Sequence, residues 1–228
     1  MRVQLLTHTP EPERACAAAA RLCYSAADID RLMARNDEDH AALLQKIVRL
    51  GHYSVLEHAS FTFGIEGISR ACSHQLVRHR IASFSQQSQR YVASCDQFEH
   101  VLPESIADRP ECRQLFDDFI AEAGRVYSRL LEAGVPAEDA RFVLPNAAAT
   151  KLVMTMNARE LRHFFALRCC RRAQWEIRAM ACEMLRLVRQ VAPVIFGDAG
   201  PGCLTGPCPE GAMTCGAIKE VRDEFSRI

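Results

Sequence analysis

Arg78-His79-Arg80-Ile81-Ala82-Ser83-Phe84-Ser85-Gln86-Gln87-Ser88-Gln89-Arg90-Tyr91 concentrates more chemistry than any other stretch of this 228-residue chain. It holds three arginines, one histidine, three serines and three glutamines, and no Asp or Glu occurs between Glu66 and Asp96 to neutralise it. A guanidinium offers a planar fork of donors that meets a phosphate or carbonyl edge two bonds at a time. Ser and Gln add donors and acceptors that adapt around it. On the residues alone two readings stand, a solvated polar loop or one wall of a site for something flat and anionic. The run follows an apolar-periodic segment, Ile68 to Val77, and ends on Tyr91-Val92, which reads as the start of a strand. It therefore joins two packed elements. With Ser69 as cap and a helix reaching His79, Gln75, Arg78 and His79 stand at i, i+3 and i+4 on one face.

Outward from this stretch, periodicity sets the neighbouring elements. Arg2 to Thr7 alternates as a strand, edge or central. Thr9-Pro10-Glu11-Pro12-Glu13 combines a cap, early prolines and early acids, which starts an Ala-rich helix running to about Cys23. A helix over Asp37 to Leu50 turns Leu44, Ile47 and Val48 inward and stops at Gly51. Val55 to Ile65 reads as a strand through the alternation of Phe61, Phe63 and Ile65. Ala93 to Pro110 is irregular and polar. Glu111 to Ala133 keeps a helical period, Pro136 to Val143 is a short helix, and Thr150 to Asn157 is a strand. Arg159 to Cys169 and Ala173 to Val191 are amphipathic helices. Strands and helices mix without β-α-β alternation and without a Gly-rich dinucleotide loop. The expectation is one compact α/β (α+β) domain over 1–228, with a central mixed or antiparallel sheet flanked by helices, and not a Rossmann fold. Residues 197–228 form a Cys/Gly/Pro-rich tail.

The bulk properties exclude some functions. Net charge is zero, so no global field draws the chain to nucleic acid or membrane, and any anion site must come from local segregation of arginines. No apolar run approaches the roughly 18–20 residues of a membrane span, and no secretory pattern opens the chain. A cytoplasmic location is expected. Eleven scattered cysteines then read as reduced thiols. Cys203, Cys208 and Cys215 lack a local fourth ligand and a Cys-x-x-Cys pair, so no metal is assigned.

Arg78-His79-Arg80, seven residues, then Ser88-Gln89-Arg90-Tyr91 resembles the motif of the flavin-dependent thymidylate synthases. Further segments agree in order and spacing: Gly51-His52-Tyr53-Ser54-Val55-Leu56-Glu57-His58, Ala140-Arg141-Phe142-Val143-Leu144-Pro145, Asn157-Ala158-Arg159 through Leu167-Arg168, and Ala173-Gln174-Trp175-Glu176-Ile177. The resemblance covers roughly residues 2 to 196. It implies reductive methylation of dUMP by FAD, with NADPH as reductant and methylenetetrahydrofolate as carbon donor, in a homotetramer whose active sites are shared between subunits. Flavin contacts carry over to Ser54, Arg78, His79, Arg80, Gln86, Asn157, Ala158, Arg159 and His163. Nucleotide contacts carry over to Gln75, Leu76, Val77, Arg78, Gln86, Gln87, Ser88, Gln89, Arg90 and Arg141. Arg168 is the arginine that approaches and activates the uracil ring, so Ser88 is assigned to binding and no cysteine nucleophile is needed. Gln86 departs from the Glu of many relatives, and Arg172 from the His of some.

Two other readings of the residues differ in class or substrate. An RNA-binding module would use the 78–90 run as a phosphate clamp, but zero net charge and the lack of interleaved aromatics oppose it. A flavoprotein acting on another pyrimidine nucleotide is the second. Other features have plainer readings: Glu57 is placed to orient an arginine, and Arg162 and Arg178 read as a basic outer face.

Overall fold

The computed structural model describes residues 1–34, 37–91 and 98–228. In chain order these are β1 (Arg2–His8), α1 (Pro12–Leu22), α2 (Ile29–Met33), α3 (Asp37–Leu50), β2 (Ser60–Ser69), α4 (Arg70–Leu76), β3 (Ala82–Gln86), α5 (Glu104–Ala107), α6 (Pro110–Glu132), α7 (Ala137–Ala140), β4 (Ala149–Asn157), α8 (Ala158–Arg168), α9 (Trp175–Val191), α10 (Pro193–Phe196) and α11 (Ile218–Phe225). Short 3-10 turns cover Tyr53–His58, Arg141–Val143 and Gly211–Met213. No helix among the described residues is long and apolar enough to cross a membrane.

The four strands form one antiparallel sheet in the order β1-β2-β4-β3. Its two inner strands are legible as a period of two. Phe61, Phe63 and Ile65 of β2, and Leu152, Met154 and Met156 of β4, alternate inward. Their register is marked by the hydroxyls of Thr62 and Thr155, which meet at 2.9 Å. β1 is an edge strand with no buried residue.

The chain divides into two compact units, and each strand has one end in either. The first comprises 1–2, 65–78 and 84–153. Its core gathers Phe98, Ile120, Ala123 and Ala148, with Phe116 and Leu144 packed against them. The second comprises 3–64, 79–83 and 154–228. There Phe196 packs edge-on to Phe61 and Phe165 at ring distances of 5.3 and 6.0 Å, and α8 lies against α9.

Several expectations need correction. β2 begins at Ser60, because Tyr53–His58 is taken up by a 3-10 turn. Thr9 caps no helix: its Oγ1 accepts the Ser60 N–H, and Glu11 enters α1 with φ 45° and no side-chain cap. Ser69 does cap α4, accepting from the Cys72 N–H at 3.0 Å. The helix nevertheless stops at Leu76, so Gln75, Arg78 and His79 do not share a helical face. The polar run after Arg80 is no loop in its middle, since Ala82–Gln86 pairs as β3. Tyr91 lies in a turn, and Val92, the proposed strand continuation, falls outside the described residues, as does the Ala93–Gln97 part of the irregular segment. Within the remainder of that segment Glu104–Ala107 is helical. Gln174 caps α9 by accepting from the Glu176 and Ile177 N–H groups, so that helix opens at Trp175.

Candidate active site

The first unit collects the residues expected to meet a nucleotide. Ser88 Oγ accepts the Arg90 N–H at 3.2 Å, which tightens the turn after β3. Arg90 reaches Glu138 on α7 with Nε at 2.8 Å and Nη2 at 2.7 Å. Arg141, just past the same helix, donates Nε to the Glu138 carbonyl at 3.0 Å. Two arginines thus meet at Glu138, one on its carboxylate and one on its carbonyl. A third, Arg70, lies close enough that burial and the Arg141 charge lower its pKa. The stretch that carries no acid of its own is supplied with one by the fold. Arg90 and Glu138 are each about half exposed, so the pair is worth little and yields readily to a competing anion. Gln75, Gln87 and Gln89 are partly exposed, and Val77 and Arg78 are exposed. Leu76 is fully buried and offers a ligand no surface.

Gln86 is committed inside this unit. Its Nε2 donates to Ser73 Oγ and Thr150 Oγ1, both at 3.1 Å, tying β3 to α4 and β4. The Ser73 hydroxyl proton is already given to the Arg70 carbonyl at 3.0 Å, so its oxygen must accept. A carboxylate at this place would face an acceptor. Gln86→Glu is therefore expected to lower stability by about 1–3 kcal/mol, read as a lower urea midpoint at unchanged slope.

The second unit holds a cavity of about 670 Å³ lined by residues that include Asn157, Arg159, Arg162, His163, Gly200 and Gly202. Local sequence explains how α8 presents them. Asn157 ends β4 and caps the helix by accepting the Glu160 N–H at 2.9 Å. Arg159 and His163 then follow four apart on one face. Glu57 holds Arg159 Nη1 at 2.5 Å, the orienting contact expected of it. Ser54 sits exposed in the 3-10 turn before Glu57, Arg80 is exposed, and Ala158 is buried at the start of α8.

From the cavity wall a polar chain runs along α8. Arg168 Nε donates to His79 Nε2 at 3.0 Å, and His79 Nδ1 meets Glu160 Oε1 at 3.2 Å. His79 and Glu160 are 6% and 7% exposed, so the imidazole faces these two groups and not the solvent. Burial lowers the His79 pKa, helped by the charges of Arg168 and His163 and opposed by Glu160. Arg168 is partly exposed and stands outside the cavity lining.

The sequence reading missed how much arginine goes into building the far wall. Arg162 is no outer-face residue. Its side chain is 10% exposed, and Nη1 donates to the Ile195 carbonyl and to Asp198 Oδ1 at 2.5 and 2.7 Å. It also lies over the Tyr53 ring at 5.0 Å. Arg189 gives Nε, Nη1 and Nη2 to the carbonyls of Phe196, Phe225 and Ala199 at 3.1, 3.0 and 2.9 Å. Arg222 holds the Cys203 and Gly206 carbonyls at 3.0 and 2.9 Å. Arg178 is likewise engaged, with Glu224 and the Cys169 carbonyl. Three carbonyls that converge on one guanidinium are a tertiary property, and nothing local in sequence signals it. Cys170 joins Cys203, Cys208 and Cys215 around a separate small pocket, although among the described residues no three His, Cys, Asp or Glu stand close enough together to hold a metal ion.

The donor set of the larger cavity suits a dinucleotide cofactor. Its volume falls in the range of about 300–1,000 Å³ usual for such sites. Arg159 and His163 offer N–H groups to a diphosphate, and Arg162 Nε–H is buried without a partner among the described residues. An antiparallel sheet flanked by helices, with no dinucleotide-binding glycine loop, sets this flavin-sized site apart from the parallel-sheet oxidoreductases.

Comparison with known proteins identifies the group. A family model described as "Thymidylate synthase complementing protein" matches residues 4–194. The chain is 64% identical over 230 residues to the flavin-dependent thymidylate synthase of Geobacter sulfurreducens, covering 100% of this chain and 99% of the relative. It is 45% identical to that of Clostridium tetani, with coverage of 97% and 96%, and 42% identical to that of Pyrococcus furiosus, with coverage of 100% and 98%. A solved structure of the UMP/dUMP methylase PolB from Streptomyces cacaoi, bound with 5-Br dUMP, superposes with a TM-score of 0.75 at 27% identity, covering 86% of this chain and 93% of that one. The chain belongs to the flavin-dependent thymidylate synthase family.

Proposed function

We propose that this enzyme converts dUMP to dTMP by reductive methylation, with FAD as hydride carrier, NADPH as its reductant and methylenetetrahydrofolate as carbon donor. The observation that carries the reading is the cavity on α8, with Asn157, Arg159 and His163 in its lining, backed by the Glu160–His79–Arg168 chain that runs along the same helix. Asn157, Arg159 and His163 hold the flavin, with Ser54, Ala158, Arg78, Arg80 and the His79 main chain as further contacts implied by the family resemblance. Bound FAD supplies the hydride that no side chain can provide. Arg90 and Arg141 take the phosphate, for which Glu138 is the resident competitor. Gln75, Gln87, Ser88 and Gln89 complete the nucleotide contacts.

Methyl transfer to C5 of uracil requires that carbon to become nucleophilic. Arg168 does this by drawing negative charge onto N3 and the adjacent carbonyl. A guanidinium a few ångströms from a developing anion lowers its pKa by about 1–3 units, each worth roughly 1.4 kcal/mol. A site without water makes that fixed charge more effective than it would be in solvent. The protein acts as one domain in a cytoplasmic homotetramer with sites shared between subunits.

The test is spectroscopic and then chemical. Purified protein is expected to be yellow, to bleach on addition of NADPH, and to form dTMP from dUMP and methylenetetrahydrofolate. UMP is run beside dUMP because the solved neighbour is a UMP/dUMP methylase. A colourless protein that takes up no added FAD would overturn the proposal.

A further inference from the structure

We infer that Glu160 and His79 are positioning residues, which fix the direction in which Arg168 presents its guanidinium; this deepens the proposed function and rests on it. Glu160 stands in the first turn of α8 and Arg168 closes the helix. Eight residues along a helix rise about 12 Å, too far for their side chains to meet squarely. His79 arrives from a different stretch and spans the gap, 3.2 Å from one partner and 3.0 Å from the other.

The direction of the bonds follows from the inventory of donors. Guanidinium nitrogens only donate, so His79 Nε2 accepts from Arg168 Nε, and the single imidazole proton sits on Nδ1 and goes to Glu160. One tautomer is fixed by its neighbours. The ring cannot swing, because Phe164 meets it edge-on at 4.9 Å and 78°. Glu160 is rooted in turn, its own N–H being given to the Asn157 side chain that caps the helix. Asn157, Glu160, His79 and Arg168 thus form one chain from the start of α8 to its end. The contact uses Nε, and it therefore sets the plane in which Nη1 and Nη2 lie.

The chain works only with a neutral imidazole. A second proton would remove the acceptor for Arg168 and set two cations against each other. The titratable and charged groups around His79 are Glu160, Arg168 and His163, all on α8. Its pKa is held below the ordinary 6.5, so the intact arrangement persists at pH 6.5 and above and fails only as pH falls through the lowered pKa.

The experiment compares Glu160→Gln, Glu160→Ala and His79→Gln holoenzymes with wild type, measuring flavin content, dUMP KM and the pH profile of kcat for dTMP formation. Glu160→Ala is expected to lose about 10²-fold in kcat with flavin content and KM within threefold of wild type. Glu160→Gln, whose amide oxygen still accepts from Nδ1, is expected to recover most of that loss. Its acidic limb should move to lower pH, because the carboxylate that raises the His79 pKa is gone. His79→Gln is expected to lose the limb. If Glu160→Ala does not fold, the Glu160→Gln profile carries the test alone. Wild-type kcat in Glu160→Ala, an unmoved limb in Glu160→Gln, or parallel loss of flavin, KM and kcat in every folded variant would overturn the positioning role while leaving the proposed function intact. A wild type that binds no flavin and makes no dTMP would overturn both.

Discussion

Arg168→Ala protein is expected to stay folded and yellow but to make dTMP on the order of 10²–10³-fold more slowly than wild type. The side chain is partly exposed and lies outside the cavity lining, so its removal leaves the flavin contacts proposed for α8 in place. What disappears is a permanent charge, delivered through a fork whose Nε is anchored on His79. Arg168→Lys keeps the charge but neither the plane nor the Nε anchor, and it is expected to recover less than tenfold. Turnover and flavin absorbance measured on the same preparations check this. Near-normal turnover in Arg168→Ala would remove Arg168 as the group that activates the pyrimidine.

Arg189→Met is expected to be the most damaging change away from the reacting groups. Three carbonyls, of Phe196, Ala199 and Phe225, lose their donor at once. A hydrogen bond to a charged group contributes about 1.5–3 kcal/mol, and a buried group left unpaired costs about 1–3. Because the freed tail can hydrate in part, the net expectation is on the order of 3 kcal/mol, a fall in Tm of about 6–12 °C for a domain of this size. Ala199 also lines the cavity, so flavin retention should fall with Tm. Differential scanning calorimetry with and without added FAD checks both. A variant that melts like wild type would show that the tail is held by other contacts.

What was legible in the sequence were the features with a local cause. Ser69 and Asn157 read as helix caps and are so, because an N-cap needs only an oxygen placed three residues before an N–H. The inner strands announced themselves through Phe61, Phe63 and Ile65. β3 was hidden because an edge strand alternates weakly: Ala82, Phe84 and Gln86 are partly covered while Ser83 and Ser85 are exposed, an alternation carried mostly by polar residues. The length of α4 was overread because the sequence cannot show that His79 pairs with a glutamate 81 positions away. The same holds for the acids. Glu138 and Glu160 neutralise a stretch that contains none, and their distance along the chain made them invisible. Arg162, Arg178 and Arg189 look like solvated positive charge in any helical projection, and only the folded tail supplies the carbonyls and carboxylates that occupy them.

The region matched by the family model closes at residue 194, whereas part of the cavity wall is drawn from 198 to 202 and from Thr205. The wall of that space is therefore completed by a segment beyond the match, fastened by arginine clamps. A compound reaching toward Gly200 and Gly202 would thus gauge how firmly Arg162 and Arg189 hold that wall.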